Sequence, residues 1–84
     1  MTDALKFLPA LESIWSDTLA LERVDRTGNF FELGGDSFMV TTVMLHIEEK
    51  FGTILDPLEL FNHPILQDFS ARVQELVETG DRGA

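Results

Sequence analysis

The sequence predicts an all-α fold, a small bundle of three main helices and one short one. Three observations carry this reading. Apolar residues recur at helical spacing in three separate segments, residues that start and stop helices fall between them, and no segment alternates apolar and polar as a half-buried strand does. Phe51-Gly52-Thr53-Ile54-Leu55 holds a few β-favouring residues but has no partner segment to pair with.

The first helix is expected over about residues 9–20. Leu8, Leu11, Trp15 and Leu19 share one face with Ile14 beside them, and Pro9 is tolerated in a first turn. Trp15, a large aromatic on that apolar face, is expected in the core. The connection from Glu22 to Gly35 is long for so small a domain, and Val24, Phe30, Phe31 and Leu33 are the residues available to pin it. Phe30 and Phe31 are expected to divide, one anchoring the loop and the other partly exposed. The second helix, over 37–51, places Val40, Met44, Ile47 and Phe51 inward and stops at Gly52. Pro57-Leu58-Glu59-Leu60-Phe61 forms one or two turns over 57–61. The last helix, over 65–78, buries Ile65, Phe69, Val73 and Leu76 and has Pro64 in its first turn. Residues 79–84 are expected to be a disordered tail, and 1–84 to be a single domain.

Size and composition narrow the function. Eighty-four residues lie below the usual size of a catalytic α/β fold. There is no cysteine, hence no disulfide or thiolate metal site, which fits a cytoplasmic protein. Met1-Thr2-Asp3-Ala4 does not begin a signal peptide, and no apolar run is long enough to span a membrane. Six Lys and Arg against fifteen Asp and Glu give a net charge of −9. That charge disfavours nucleic acid and anionic lipid and suits basic partner surfaces, although acidity also serves solubility alone.

The most informative stretch is Phe30-Phe31-Glu32-Leu33-Gly34-Gly35-Asp36-Ser37-Phe38. A double glycine delivers an acid and a serine to the first turn of an apolar-periodic helix. The plainer reading is a capped helix behind a tight turn, since Asp36 and Ser37 both suit a helix start. The aromatic-rich loop before the glycines weighs toward a segment built to present one hydroxyl.

Asn29-Phe30-Phe31-Glu32-Leu33-Gly34-Gly35-Asp36-Ser37 closely resembles the modification motif of peptidyl carrier proteins, the thiolation domains of nonribosomal peptide synthetases. The resemblance runs through nearly the whole chain: Leu11 with Ile14-Trp15, Phe51-Gly52, and Leu58-Leu60-Phe61 followed by Pro64 match the family's other landmarks. It implies a four-helix bundle of acyl-carrier type. It further implies that Ser37, with Gly34, Gly35 and Asp36 as its motif, receives 4′-phosphopantetheine from coenzyme A by a phosphopantetheinyl transferase. The arm's thiol would then carry aminoacyl or peptidyl thioesters. The implied partners are an adenylating enzyme and condensation, tailoring or thioesterase enzymes, with no catalysis by this chain itself, no nucleic acid and no membrane, and the chain a monomer. Near Ser37, a phosphodiester would lie beside free N–H groups and the positive end of the second helix, and the glycines would leave room for the transferase. Phe38 stands where the family often has leucine, Thr41 and Thr42 form a polar pair, and Phe7-Leu8-Pro9 is an unusual lead-in.

Other readings of the same residues fare less well. Gly-Asp-Ser also occurs in serine esterases, which need a parallel sheet and a partner histidine. A calcium loop counted from Asp25 would place Phe30 where glycine is needed and Asp36 where glutamate is needed. An unmodified acidic adaptor predicts the same fold and charge, and an acyl carrier of a polyketide pathway the same cofactor. The second glycine favours the peptidyl kind. Met1 and the short tail fit a free-standing carrier, and a domain excised from a larger synthetase would look the same.

Helical geometry also points to a partner face. If Val40, Met44, Ile47 and Phe51 face inward, Phe38, Thr42 and Leu45 point nearly the opposite way, with Met39 and His46 flanking. Phe38, Met39, Thr42 and Leu45 are therefore candidate docking residues, unless the long loop or the short helix covers them.

Overall fold

A computed structural model describes residues 5–80. Its four helices are α1 (Leu8–Leu19), α2 (Ser37–Phe51), α3 (Leu58–Asn62) and α4 (Leu66–Thr79). α1 is the central element, packing against both α2 and α4, while α3 lies against α4.

The helix ends follow from local chemistry. α1 stops at Leu19, not 20, because Ala20 turns into the left-handed region (φ 57°) and Leu21 N–H closes on the Ser16 carbonyl at 2.9 Å. α2 ends at Gly52 (φ 70°), whose N–H meets the Glu48 carbonyl. Pro57 precedes α3 instead of opening it, and Asp56 supplies the cap by accepting the Leu58 N–H at 2.9 Å. Pro64 and Ile65 likewise precede α4; Ile65 is extended and half-buried, and Leu66, fully buried, takes the inward place expected for it. Thr79 belongs to α4 and not to a tail, while residues 81–84 lie outside the described part of the chain.

α4 has no side-chain cap, and the long connection solves this with backbone. Leu66 and Gln67 donate their N–H groups to the carbonyls of Gly28 (3.0 Å) and Arg26 (2.9 Å), and Phe30 N–H donates to Pro64 (2.8 Å). Four orphan donors open every helix, so this strap satisfies donors that otherwise need water or a side chain. An isolated antiparallel bridge, Asn29 with Ile65, is the β pairing that results.

The core contains Leu11, Trp15, Phe30, Val40, Val43, Ile47, Leu60, Leu66, Phe69 and Val73, all essentially without exposure. Trp15 sits between two rings, edge-on to Phe30 at 5.0 Å and tilted on Phe69 at 5.8 Å. Two expectations are corrected. Phe51 is only half-buried, stacked on Phe7 at 4.5 Å, because α2 buries Val43 together with Val40, Met44 and Ile47 and turns its last residue to the rim. Leu33 is exposed, with only its Cδ1 lying over Gly28, and stays outside the core; Val24, Phe30 and half-buried Phe31 hold the loop. Among the described residues, no helix is long and apolar enough to cross a membrane.

Candidate functional site

The residues before α2 form a turn organised by Asn29. Its side-chain oxygen accepts the N–H groups of Phe31 (2.9 Å) and Glu32 (3.2 Å), and its carbonyl accepts Leu33 N–H (3.0 Å). Gly34 closes the turn with φ +107°, a region that L side chains rarely adopt, and no neighbour lies within 4 Å of where its Cβ would be. Gly35 has a different reason to be glycine. A Cβ there would lie 2.3 and 2.4 Å from the Cε2 and Cδ2 atoms of Phe30 and 2.8 Å from the Phe30 carbonyl oxygen. The bare backbone at residue 35 faces inward onto a ring, so it does not serve as clearance for an approaching enzyme, contrary to the expectation from sequence. Of the two glycines, only Gly34 faces open space.

Asp36 then runs extended (φ −136°, ψ −179°) and caps α2, its Oδ1 accepting Met39 N–H at 2.9 Å while its carbonyl accepts Val40 N–H at 3.0 Å. Ser37 is thereby the first helical residue, and its side chain is exposed. The Ser37 and Phe38 N–H groups lie at positions that helix geometry leaves without intrahelical acceptors. The arrangement holds one free hydroxyl at the positive end of a helix of 15 residues.

The neighbouring surface is apolar. Phe38 is 79% exposed and Leu45 57% exposed, so neither the long loop nor α3 covers them. Met39 is half-buried against the core and Thr42 is half-buried, which leaves the exposed apolar strip to Phe38 and Leu45. Ile54, Leu58 and Phe61 are further large exposed apolar residues, outside the strip read from α2. A signal for two of them was present: Leu58, Leu60 and Phe61 fall within one five-residue helix, which cannot bury all three, and only Leu60 is buried.

Other candidate chemistries are not assembled at Ser37. His46 lies nine positions further along α2, about 13 Å by helical rise, with its Nδ1 3.5 Å from Glu49. His63 closes α3, its Nε2 4.0 Å from Glu59. Asp25 engages its own turn, its Oδ1 accepting Thr27 N–H at 2.9 Å and the Thr27 hydroxyl at 2.7 Å. Those two hydrogen bonds hold the Asp25 carboxyl below its ordinary pKa. The cleft lined by Leu8, Glu12, Arg23, Val24, Asp25 and Arg26 includes no residue of the Ser37 motif.

Comparison with known proteins identifies the family and the fold. Residues 9–73 match the family model described as a phosphopantetheine attachment site. The chain is 38% identical over 66 residues to a linear gramicidin synthase of Brevibacillus parabrevis, which is 79% of this chain and 1% of that protein. It is likewise 38% identical over 63 residues to a phenolphthiocerol/phthiocerol polyketide synthase of Mycobacterium tuberculosis, which is 75% of this chain and 4% of that protein. The chain thus spans only a few per cent of the length of these relatives. The fold matches that of BlmI, a type-II acyl-carrier protein from Streptomyces verticillus involved in bleomycin biosynthesis, with a TM-score of 0.83 and 20% identity, covering 88% of this chain and 89% of that one. A four-helix fold of acyl-carrier type and a family match over most of its length together establish that this chain belongs to the phosphopantetheine attachment-site family, whose domains bear covalently attached 4′-phosphopantetheine.

Proposed function

We propose that this chain is a peptidyl carrier in which Ser37 bears 4′-phosphopantetheine and presents aminoacyl or peptidyl groups to successive enzymes of nonribosomal peptide or hybrid natural-product assembly. The observation that carries the reading is the single exposed hydroxyl at the start of α2, set there by the Asp36 cap and the Gly34 turn. The residues present fit the group. The Ser37 and Phe38 N–H groups and the positive end of α2 would favour the charge of a phosphodiester on Ser37. In the modification, Ser37 Oγ forms the new P–O bond, gives up its proton to the transferase, and the adenosine bisphosphate part of coenzyme A leaves. When bound, the group supplies a thiol at the end of a long arm, on which acyl cargo is held as a thioester. No side chain of this protein makes or breaks that thioester; adenylating, condensation, tailoring and thioesterase enzymes do so.

Phe38, next to Ser37, and Leu45, about two turns further along α2, are exposed and are proposed as the centre of the docking strip, with Met39 and Thr42 at its margin. Asp36 before Phe38 and Glu48 and Glu49 after Leu45 are exposed acids that would steer basic partner surfaces toward the strip. A polyketide-type acyl carrier is the second reading, supported by the likeness to the mycobacterial polyketide synthase. Gly35 favours the peptidyl kind.

The test is incubation with coenzyme A and a broad-specificity phosphopantetheinyl transferase, read by intact mass, followed by loading with adenylating enzymes and amino acids. The wild type gains one phosphopantetheine and then an aminoacyl group, and Ser37→Ala gains neither while keeping its helical circular dichroism. An unmodified adaptor gains no mass. A carrier that takes the arm but accepts no amino acid from any adenylating enzyme supports the polyketide reading.

A further inference from the structure

We infer that Phe30 is a positioning residue for the modification of Ser37, acting through the missing side chain of Gly35; the inference rests on Ser37 being the modified residue. Phe30 has no freedom to yield. It is fully buried, its ring lies edge-on to Trp15 at 5.0 Å and to Phe31 at 5.4 Å, and Phe31 in turn stacks on Phe61 of α3 at 5.2 Å. Its backbone is held at both ends, the N–H by the Pro64 carbonyl (2.8 Å) and the carbonyl by Gly35 N–H (2.9 Å). The backbone at residue 35 rests directly on this ring.

The two glycines therefore do separate things. Gly34 bends the chain, and Gly35 seats it. Moving a Cβ at residue 35 from 2.3 Å out to ordinary carbon contact, about 3.5 Å, requires a displacement of about 1.2 Å. Between that seat and Ser37 lies only Asp36, which is fully extended and fixed forward by its bond to Met39 N–H. An extended residue tied at one end passes a displacement along the chain and does not absorb it. Ser37 Oγ then sits off the line its partner enzyme expects, and a misplacement of about 1 Å can cost on the order of a hundredfold in rate. Aromatic packing under the loop thus sets where the hydroxyl stands.

The test compares steady-state modification of the full chain by a broad-specificity transferase with coenzyme A for wild type, Gly35→Ala, Phe30→Leu and the double variant, with circular dichroism melting alongside. Leucine removes the ε carbons and can rotate its δ carbons away from residue 35. Gly35→Ala is expected to lose about tenfold to a hundredfold in kcat, while its KM for the carrier, set by surface features it leaves in place, moves by no more than about twofold. The double variant is expected to lose less relative to Phe30→Leu than Gly35→Ala loses relative to wild type, because leucine relieves the ring contact while the Phe30 carbonyl oxygen, 2.8 Å from a Cβ at residue 35, stays in place. A folded Gly35→Ala with unchanged kcat overturns the inference. So does a double variant as far below Phe30→Leu as Gly35→Ala is below wild type, which would show residue 35 acting independently of the ring. If Gly35→Ala fails to fold, a folded double variant within about tenfold of Phe30→Leu supports the coupling, and one that is unfolded or slower than that overturns it. Failure of the wild type to gain mass would instead sink the proposed function itself.

Discussion

Asp25 and Asp36 stand at the two ends of the connection that leads to Ser37, and each ties its carboxylate to backbone N–H a few residues ahead. Short acids do this well because one side-chain oxygen reaches a donor two or three residues on. For Asp25 the consequence is a pH dependence with a definite sign. Its folded pKa is depressed, first by the Thr27 N–H and then by the Thr27 hydroxyl. The stability it contributes is therefore fully present above its ordinary value of about 3.9 and fades as pH falls through the lower folded value. Thermal melting of wild type and Asp25→Ala across pH should show the wild type ahead at neutral pH and the gap closing in acid. A gap that stays constant into strong acid would contradict this account. The two glycines divide as well: Gly34 is required by φ, which a turn motif signals, whereas Gly35 is required by a ring five residues earlier, which spacing alone does not reveal.

Among the elements, α3 is the one least able to stand alone. Its five residues fall well short of the roughly 12–15 that an isolated helix needs, and only Leu60 is buried. Its further tethers are the Phe61–Phe31 stack and a bidentate ion pair in which Arg72 of α4 holds Glu59 at 2.8 and 3.2 Å while also bonding Glu75. Arg72→Ala should speed amide hydrogen exchange at residues 58–62 severalfold at most, the scale of a partly exposed ion pair, and leave the middles of α1, α2 and α4 unchanged. Exchange that is unaltered in α3, or faster throughout the bundle, would show that the pair does not tether this helix. α2 makes the complementary case, because its outer face is free to change. Phe38→Ala and Leu45→Ala should slow loading and condensation by about tenfold, as loss of an exposed docking anchor does, while melting and modification of Ser37 stay close to wild type. Unchanged partner rates would remove the strip from the docking surface.

For the molecule as a whole, the bundle was legible because its signals are local. Helical spacing, glycine stops and the absence of alternating strands all lie within single segments. The stripes through Leu11, Trp15, Ile47, Phe69 and Val73 do face the core. What the sequence hid is tertiary. Val43 and Leu66 are core because α2 and α4 bury more of their circumference than one stripe, and Leu33 is exposed because the strap from loop to α4 carries Phe30 inward instead. The backbone bonds from Leu66 and Gln67 to Gly28 and Arg26 join segments about forty residues apart, a distance no residue pattern records. The serine motif was legible for the opposite reason, since cap, turn and hydroxyl all fall within four consecutive residues. Family membership then rests on a match over most of the chain, and the role of one atom rests on the geometry around it. Peptide mapping of the transferase-treated protein by tandem mass spectrometry tests that role most directly. The account predicts the phosphopantetheine on the fragment containing Ser37 and on that residue alone; a chain left unmodified, or a group found on Ser13, Ser16, Ser70 or any other side chain, would contradict it.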